Sequence, residues 1–93
     1  MTLTRKSTVV ASKDQVSCEV HGEAAILQMK RGVYYSLDRV GALVWQRIQK
    51  PASVSELCDL ITAEYAVEAD VCEKDLLELL SDLDAAGLIE VVN

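Results

Sequence analysis

The chain has 93 residues, 51% hydrophobic and 26% charged, which excludes a disordered polymer and sets the scale of one domain with one modest core. It contains no Phe, one Trp and three Tyr, so that core must be aliphatic. A formal net charge of −6 argues against a protein that holds nucleic acid by neutralising phosphates.

The charge is divided between the halves. Residues 1–50 hold eight bases and four acids, a net +4, whereas residues 51–93 hold one base and eleven acids, a net −10. An acidic face supplied by the C-terminal half follows. The three cysteines, Cys18, Cys58 and Cys72, are odd in number and widely spaced. No secretory signal and no membrane-length apolar run of about 18 residues is present. These features predict a cytoplasmic protein with reduced thiols and no membrane partner.

Residues 1–14 are polar and basic apart from Val9 and Val10, and read as a flexible start or one edge segment ahead of a single domain over residues 15–93. From Gln15 the period is two, with Val16, Cys18 and Val20 predicting a half-buried strand. A short loop at His21-Gly22-Glu23 leads into a second apolar run over residues 24–29. Gly32 suits the next turn, and Val33-Tyr34-Tyr35-Ser36-Leu37 are strand formers. Three runs on two short loops predict a three-stranded antiparallel meander.

The period then becomes helical. Val40, Leu43, Val44 and Ile48 share a stripe behind Asp38 as N-cap, and Pro51 forbids continuation. Ser53-Val54-Ser55-Glu56 is a capping-box pattern ahead of Leu57, Cys58 and Ile61. Asp70 is the expected cap of a third helix running to about Ala86, with Gly87 as its C′ residue. Residues 88–92 form a short apolar tail of extended type. Strands first and helices second predict an α+β fold with helices on one face of a small sheet.

Catalysis finds no support. His21 is the one histidine and falls at a turn, metal-ligand spacings are absent, and the four glycines are isolated. The chain therefore reads as a non-enzyme with no cofactor and no metal. Two features remain. The third helix carries Leu76, Leu77, Leu79, Leu80 and Leu83, an apolar arc wider than one packing contact requires. The run 33–37 would be the last strand of the meander and contains no proline or charge to guard its outer edge. A bare edge beside an apolar helix is a docking site for an extended peptide, whose backbone supplies affinity and whose side chains supply specificity. Three alternatives stay open: residues 8–11 could cover that edge, a second copy could pair with it, or the helices could form a DNA-reading winged-helix regulator.

Taken in order, Gly32-Val33-Tyr34-Tyr35-Ser36-Leu37-Asp38, Gly41, Val44-Trp45, Ser53-Val54-Ser55-Glu56-Leu57, Asp75-Leu76 through Leu83, and Ala86-Gly87-Leu88 resemble the PqqD-like proteins. These are the recognition elements of ribosomally made, post-translationally modified peptides. The resemblance covers roughly residues 15–90, with Asp38 standing where the family often shows Asn. It implies a winged helix-turn-helix-like unit of three strands followed by three helices. It also implies binding of a precursor's leader segment between the third strand and the third helix. A stand-alone chain of this size is similar to the leader-binding proteins of lasso peptide biosynthesis, whose partners would be a leader peptidase and a macrolactam-forming cyclase. Carried onto this sequence, the family's groove implies Val33, Tyr34, Tyr35 and Leu37 from the strand, and Cys72, Asp75, Leu76, Leu79 and Asp82 from the helix. Which of residues 76, 77, 79 and 80 face the peptide is left open by their spacing.

Overall fold

The computed structural model describes residues 3–92; residues 1–2 and 93, the outer ends of the expected terminal segment and domain, lie outside the described residues. Strands β1 (Thr8–Ala11), β2 (Gln15–Val20), β3 (Glu23–Gln28) and β4 (Val33–Leu37) lead into helix α1 (Arg39–Arg47). A two-residue strand β5 (Ala52–Ser53), helices α2 (Val54–Glu64) and α3 (Ala69–Ala85) and strand β6 (Ile89–Val91) complete the chain. The α+β class and the β2-β3-β4 meander agree with the sequence reading, but the described residues form two antiparallel three-stranded sheets rather than one. The second has the order β5-β1-β6.

That second sheet corrects the reading of the N-terminal segment. β1 is neither frayed nor an edge, and it does not pair with β4; it is the central strand, flanked by β5 and β6. Its surroundings knit the start of the chain to the helical half. The Ala11 N–H donates to Ile48 O (2.8 Å), Ser12 N–H to Leu88 O (2.8 Å) and Val54 N–H to Ser7 O (2.9 Å). Val9, fully buried, joins Ile48, Leu57, Leu80, Leu83 and Leu88 in an aliphatic core.

The β2–β3 turn has two residues, His21 (φ 53°) and Gly22 (φ 81°). Two successive positive φ values are those of a type I′ turn, whose twist matches antiparallel strands. This turn sets the register Val20↔Glu23, and with it the face each β2 residue takes. Ala24, Ile26 and Gln28 of β3 are buried. Gln15, Ser17 and Glu19 share their face, while Val16, Cys18 and Val20 point to the other side. The expected half-burial of those three is therefore wrong. Val16 is 56% and Val20 57% exposed, and Cys18 is exposed too.

The helix ends follow local chemistry. Asp38 Oδ1 accepts from the Gly41 N–H at 2.9 Å, and Ser53 with Glu56 closes the capping box of α2. α3 differs from expectation: its N-cap is Glu68 with no side-chain capping bond, and Asp70 lies inside the first turn, accepting from the Val71 N–H. At the other end Gly87 (φ 75°) donates to Asp84 O and Leu88 to Leu83 O. Those are the two bonds of a Schellman motif, with Leu88 and Leu83 both fully buried beside it.

One polar cluster fastens the meander to the end of α3. Buried Gln28 donates through Nε2 to Gly87 O (3.0 Å), and its Oε1 accepts from the Lys30 N–H (2.7 Å) and the Arg31 N–H (3.3 Å). Arg31 Nη1 adds a bond to Ala85 O at 2.8 Å. Gln28→Ala strands these groups, and buried polar atoms without partners cost about 1–3 kcal/mol. The expected result is a lower urea midpoint at unchanged slope; an unchanged midpoint would mean that water replaces the amide.

Candidate functional site

A groove of about 560 Å³ opens between β4, the start of α1, the end of α2 and α3. Its wall on the sheet side is Tyr35, Ser36 and Leu37, and on the helix side Cys72, Asp75, Leu76 and Leu79. Val44 and Ile61, both buried, lie beneath it. The helix periodicity explains the α3 wall. Cys72, Asp75, Leu76 and Leu79 are spaced three and four apart, so they form one ridge. The leucines left open by spacing divide accordingly. Leu76 and Leu79 line the groove, Leu80 is fully buried in the core, and Leu77 sits on a different surface with Lys74, Glu78 and Asp82.

The edge of β4 borders this groove, and two main-chain bonds fix its hydrogen-bonding parity. The Met29 N–H donates to Asp14 O on the β2 side, while Gln28 O accepts from the Gly32 N–H on the β4 side. Successive residues of a strand direct their main-chain groups to opposite sides, and antiparallel partners exchange bonds at alternate pairs. The pairs Ala24↔Leu37, Ile26↔Tyr35 and Gln28↔Val33 are therefore the bonded ones. Tyr34 and Ser36 direct N–H and C=O outward. Among the described residues no strand pairs with that side of β4.

The residues named from sequence are thus distributed. Tyr35, Leu37, Cys72, Asp75, Leu76 and Leu79 meet around the groove. Tyr34, 65% exposed, contributes its main chain at the edge while its ring stands on the opposite sheet face with Leu27, its cross-strand neighbour. Val33 is exposed at the strand's beginning, and Asp82 lies beyond the groove, close enough to Tyr35 to affect its phenol. Sequence reasoning missed Val40, Gly41, Val44, Ile61, Tyr65 and Val67 as lining residues. Val40, Val44 and Ile61 were visible as helix stripes, but nothing marked those stripes as groove rather than core. Tyr65 and Val67 follow α2 and carry no periodic signal.

The site is apolar with an acidic rim. Burial, aided by the charge of Asp82, raises the Tyr35 phenol above its ordinary value, so it stays a neutral hydrogen-bonding group. Buried Cys58 of α2 and Cys72 of α3 lie close enough for each thiol to influence the other's titration. Burial first, and Cys72 second, push the Cys58 thiol up to about 11, so neither sulfur offers a thiolate nucleophile. The consequence for stability has a definite sign. The unfolded chain loses this proton at its ordinary value near 9, the folded chain only near 11, so stability falls across that interval as pH rises. Under reducing conditions Cys58→Ala should flatten the pH dependence of the urea midpoint there; an identical slope in the variant would place the titration elsewhere. Among the described residues no cluster of three or more potential metal ligands occurs, and no helix is long and apolar enough to cross a membrane.

Comparison with known proteins adds to this geometry. The family described as "Coenzyme PQQ synthesis protein D (PqqD)" matches residues 23–89. A solved structure described as "TbiB1 in Complex with the TbiA(beta) Leader Peptide" superposes with a TM-score of 0.81 at 32% identity, covering 87% of this chain and 94% of that one. Another, "Lasso peptide synthetase B1 complexed with the leader peptide", has a TM-score of 0.77 at 23% identity over 88% of this chain and 96% of that one, a likeness of fold. No curated protein sequence matches the chain.

Proposed function

Because the chain belongs to the PqqD family, we propose that it is a non-catalytic recognition element that captures the leader segment of a ribosomal precursor peptide. The leader adds as a strand to the outer edge of β4 and turns alternate side chains into the groove against α3. The observation that carries this reading is the conjunction of outward main-chain groups at Tyr34 and Ser36 with the apolar groove beside them. The TbiB1 complex with its leader peptide supports the ligand class.

The magnitudes are of a suitable size. Main-chain bonds at Tyr34 and Ser36 contribute about 1 kcal/mol net each, and each apolar side chain buried in the groove about 1.5–3 kcal/mol. After the cost of ordering the peptide, a dissociation constant of about 1 μM, roughly −8 kcal/mol, is within reach. Such an adaptor holds a substrate firmly enough to deliver it in the cytoplasm to a leader peptidase and a cyclase, and releases it afterwards. Cys72, Asp75, Leu76 and Leu79 supply the helix side, Tyr35 and Leu37 the sheet side, and Val33 and Asp82 the two flanks.

The DNA-reading alternative is not favoured. α3 would be the recognition helix of a winged helix-turn-helix, yet Lys74 is its one base against Asp70, Glu73, Asp75, Glu78, Asp82 and Asp84. Titration calorimetry with the leader segment of the precursor encoded beside this chain's gene tests the proposal. Saturable heat with micromolar affinity is expected; no heat at tens of micromolar would overturn it.

A further inference from the structure

The meander has a second open edge. By the same parity, Asp14, Val16, Cys18 and Val20 face β3, while Gln15, Ser17 and Glu19 direct their N–H and C=O away from the sheet. Among the described residues nothing pairs with that side, and five of the six residues of β2 are exposed. Val16, Val20, Leu27, Met29 and Tyr34, more than half of the large apolar side chains exposed among the described residues, belong to this meander and its turn. The groove of about 560 Å³ borders β4, whereas β2 meets, through Glu19, a smaller hollow of about 200 Å³. Such an edge fits a strand that brings its own complement.

We propose that β2 pairs antiparallel with β2 of a second copy about a two-fold axis at Ser17, joining two meanders into one continuous sheet. Three observations select this occupant. The outward groups at Gln15, Ser17 and Glu19 are symmetric about Ser17, so every outward donor meets an acceptor. The opposed side chains are compatible: Ser17 faces its counterpart, Val16 faces Cys18, and the Gln15 amide faces the Glu19 carboxylate, so no like charges oppose one another. The electrostatics also favour this place over others. Residues 15–37 hold two acids and two bases and are neutral, whereas residues 51–93 carry −10. Two acidic chains thus meet at a neutral segment of each. The β4 edge and the groove stay free, so the pairing is independent of the proposed leader site.

Sedimentation equilibrium over a concentration series tests this on the full chain. The mass is expected to rise from 10.2 kDa toward twice that value. Ser17→Pro removes one outward N–H without touching a bond to β3 and should shift the midpoint at least about tenfold upward, with circular dichroism and leader binding unchanged. A chain that stays monomeric to its solubility limit overturns the proposal, as does a Ser17→Pro dimer equal to wild type. Should Ser17→Pro lose its fold, the exposed thiol decides, since Cys58 and Cys72 are buried. The two copies of Cys18 would lie diagonally across the seam, about 7–8 Å apart. A bismaleimide of that span should join them in wild type and not in Cys18→Ser. Failure to link the wild-type dimer overturns the seam.

Discussion

Tyr34→Pro is expected to weaken leader binding by about tenfold to a hundredfold while the protein stays folded. The Tyr34 N–H points away from β3, so proline breaks no bond inside the sheet. It removes a donor that the incoming strand needs and places its ring where that strand must approach. Loss of one net hydrogen bond costs about 1 kcal/mol, and the steric obstruction adds to it. Tyr34→Ala separates main chain from ring and should have the smaller effect. Tyr35→Pro behaves differently, because the Tyr35 N–H is bonded to Ile26 within the sheet, and its expected result is a destabilised fold. Calorimetry and thermal unfolding on the three variants distinguish these outcomes. Tyr34→Pro binding like wild type would remove strand addition as the mechanism.

Leu79→Glu should reduce binding at least as much. Leu79 is half-buried on the α3 ridge, against the groove rather than within the core, so its replacement is tolerated by the fold. Loss of an apolar contact worth about 1.5–3 kcal/mol predicts roughly a tenfold to hundredfold weakening. The new carboxylate also sits four residues from Asp75 and three from Asp82, and burying it under a peptide adds a desolvation cost. Leu77→Glu is the matched control: same helix, same change, but outside the groove, and no loss of affinity is expected. Leu80→Ala instead empties core volume from a fully buried position and should cost about 2–5 kcal/mol of stability. Equal losses in Leu79→Glu and Leu77→Glu would show that charge on α3, not the groove, controls binding.

The sequence disclosed those parts of the fold whose causes are local. The His21-Gly22 turn, Asp38 and Ser53-Glu56 as caps and Gly87 as terminator are set by neighbours within a few residues, and each does what its chemistry dictates. The second sheet was illegible because its causes are distant. β5 has two residues and β6 three, too short for any period, and both form only because β1 reaches them from the far end of the chain. The same distance effect explains β2. Alternation fixed its period, but which face turns inward depends on the pairing with β3. For the groove, the leucine arc of α3 announced an apolar surface, and packing alone assigned Leu76 and Leu79 to it, Leu80 to the core and Leu77 elsewhere.

That β1 lies in the other sheet removes the internal competitor for the β4 edge. Amide hydrogen exchange of the free and leader-saturated protein addresses that edge residue by residue. The account predicts fast exchange at Tyr34 and Ser36 in the free chain and strong protection of both when the leader binds, with Tyr35 and Leu37 already slow in either state. Saturated binding that leaves the Tyr34 and Ser36 amides exchanging as before would contradict it.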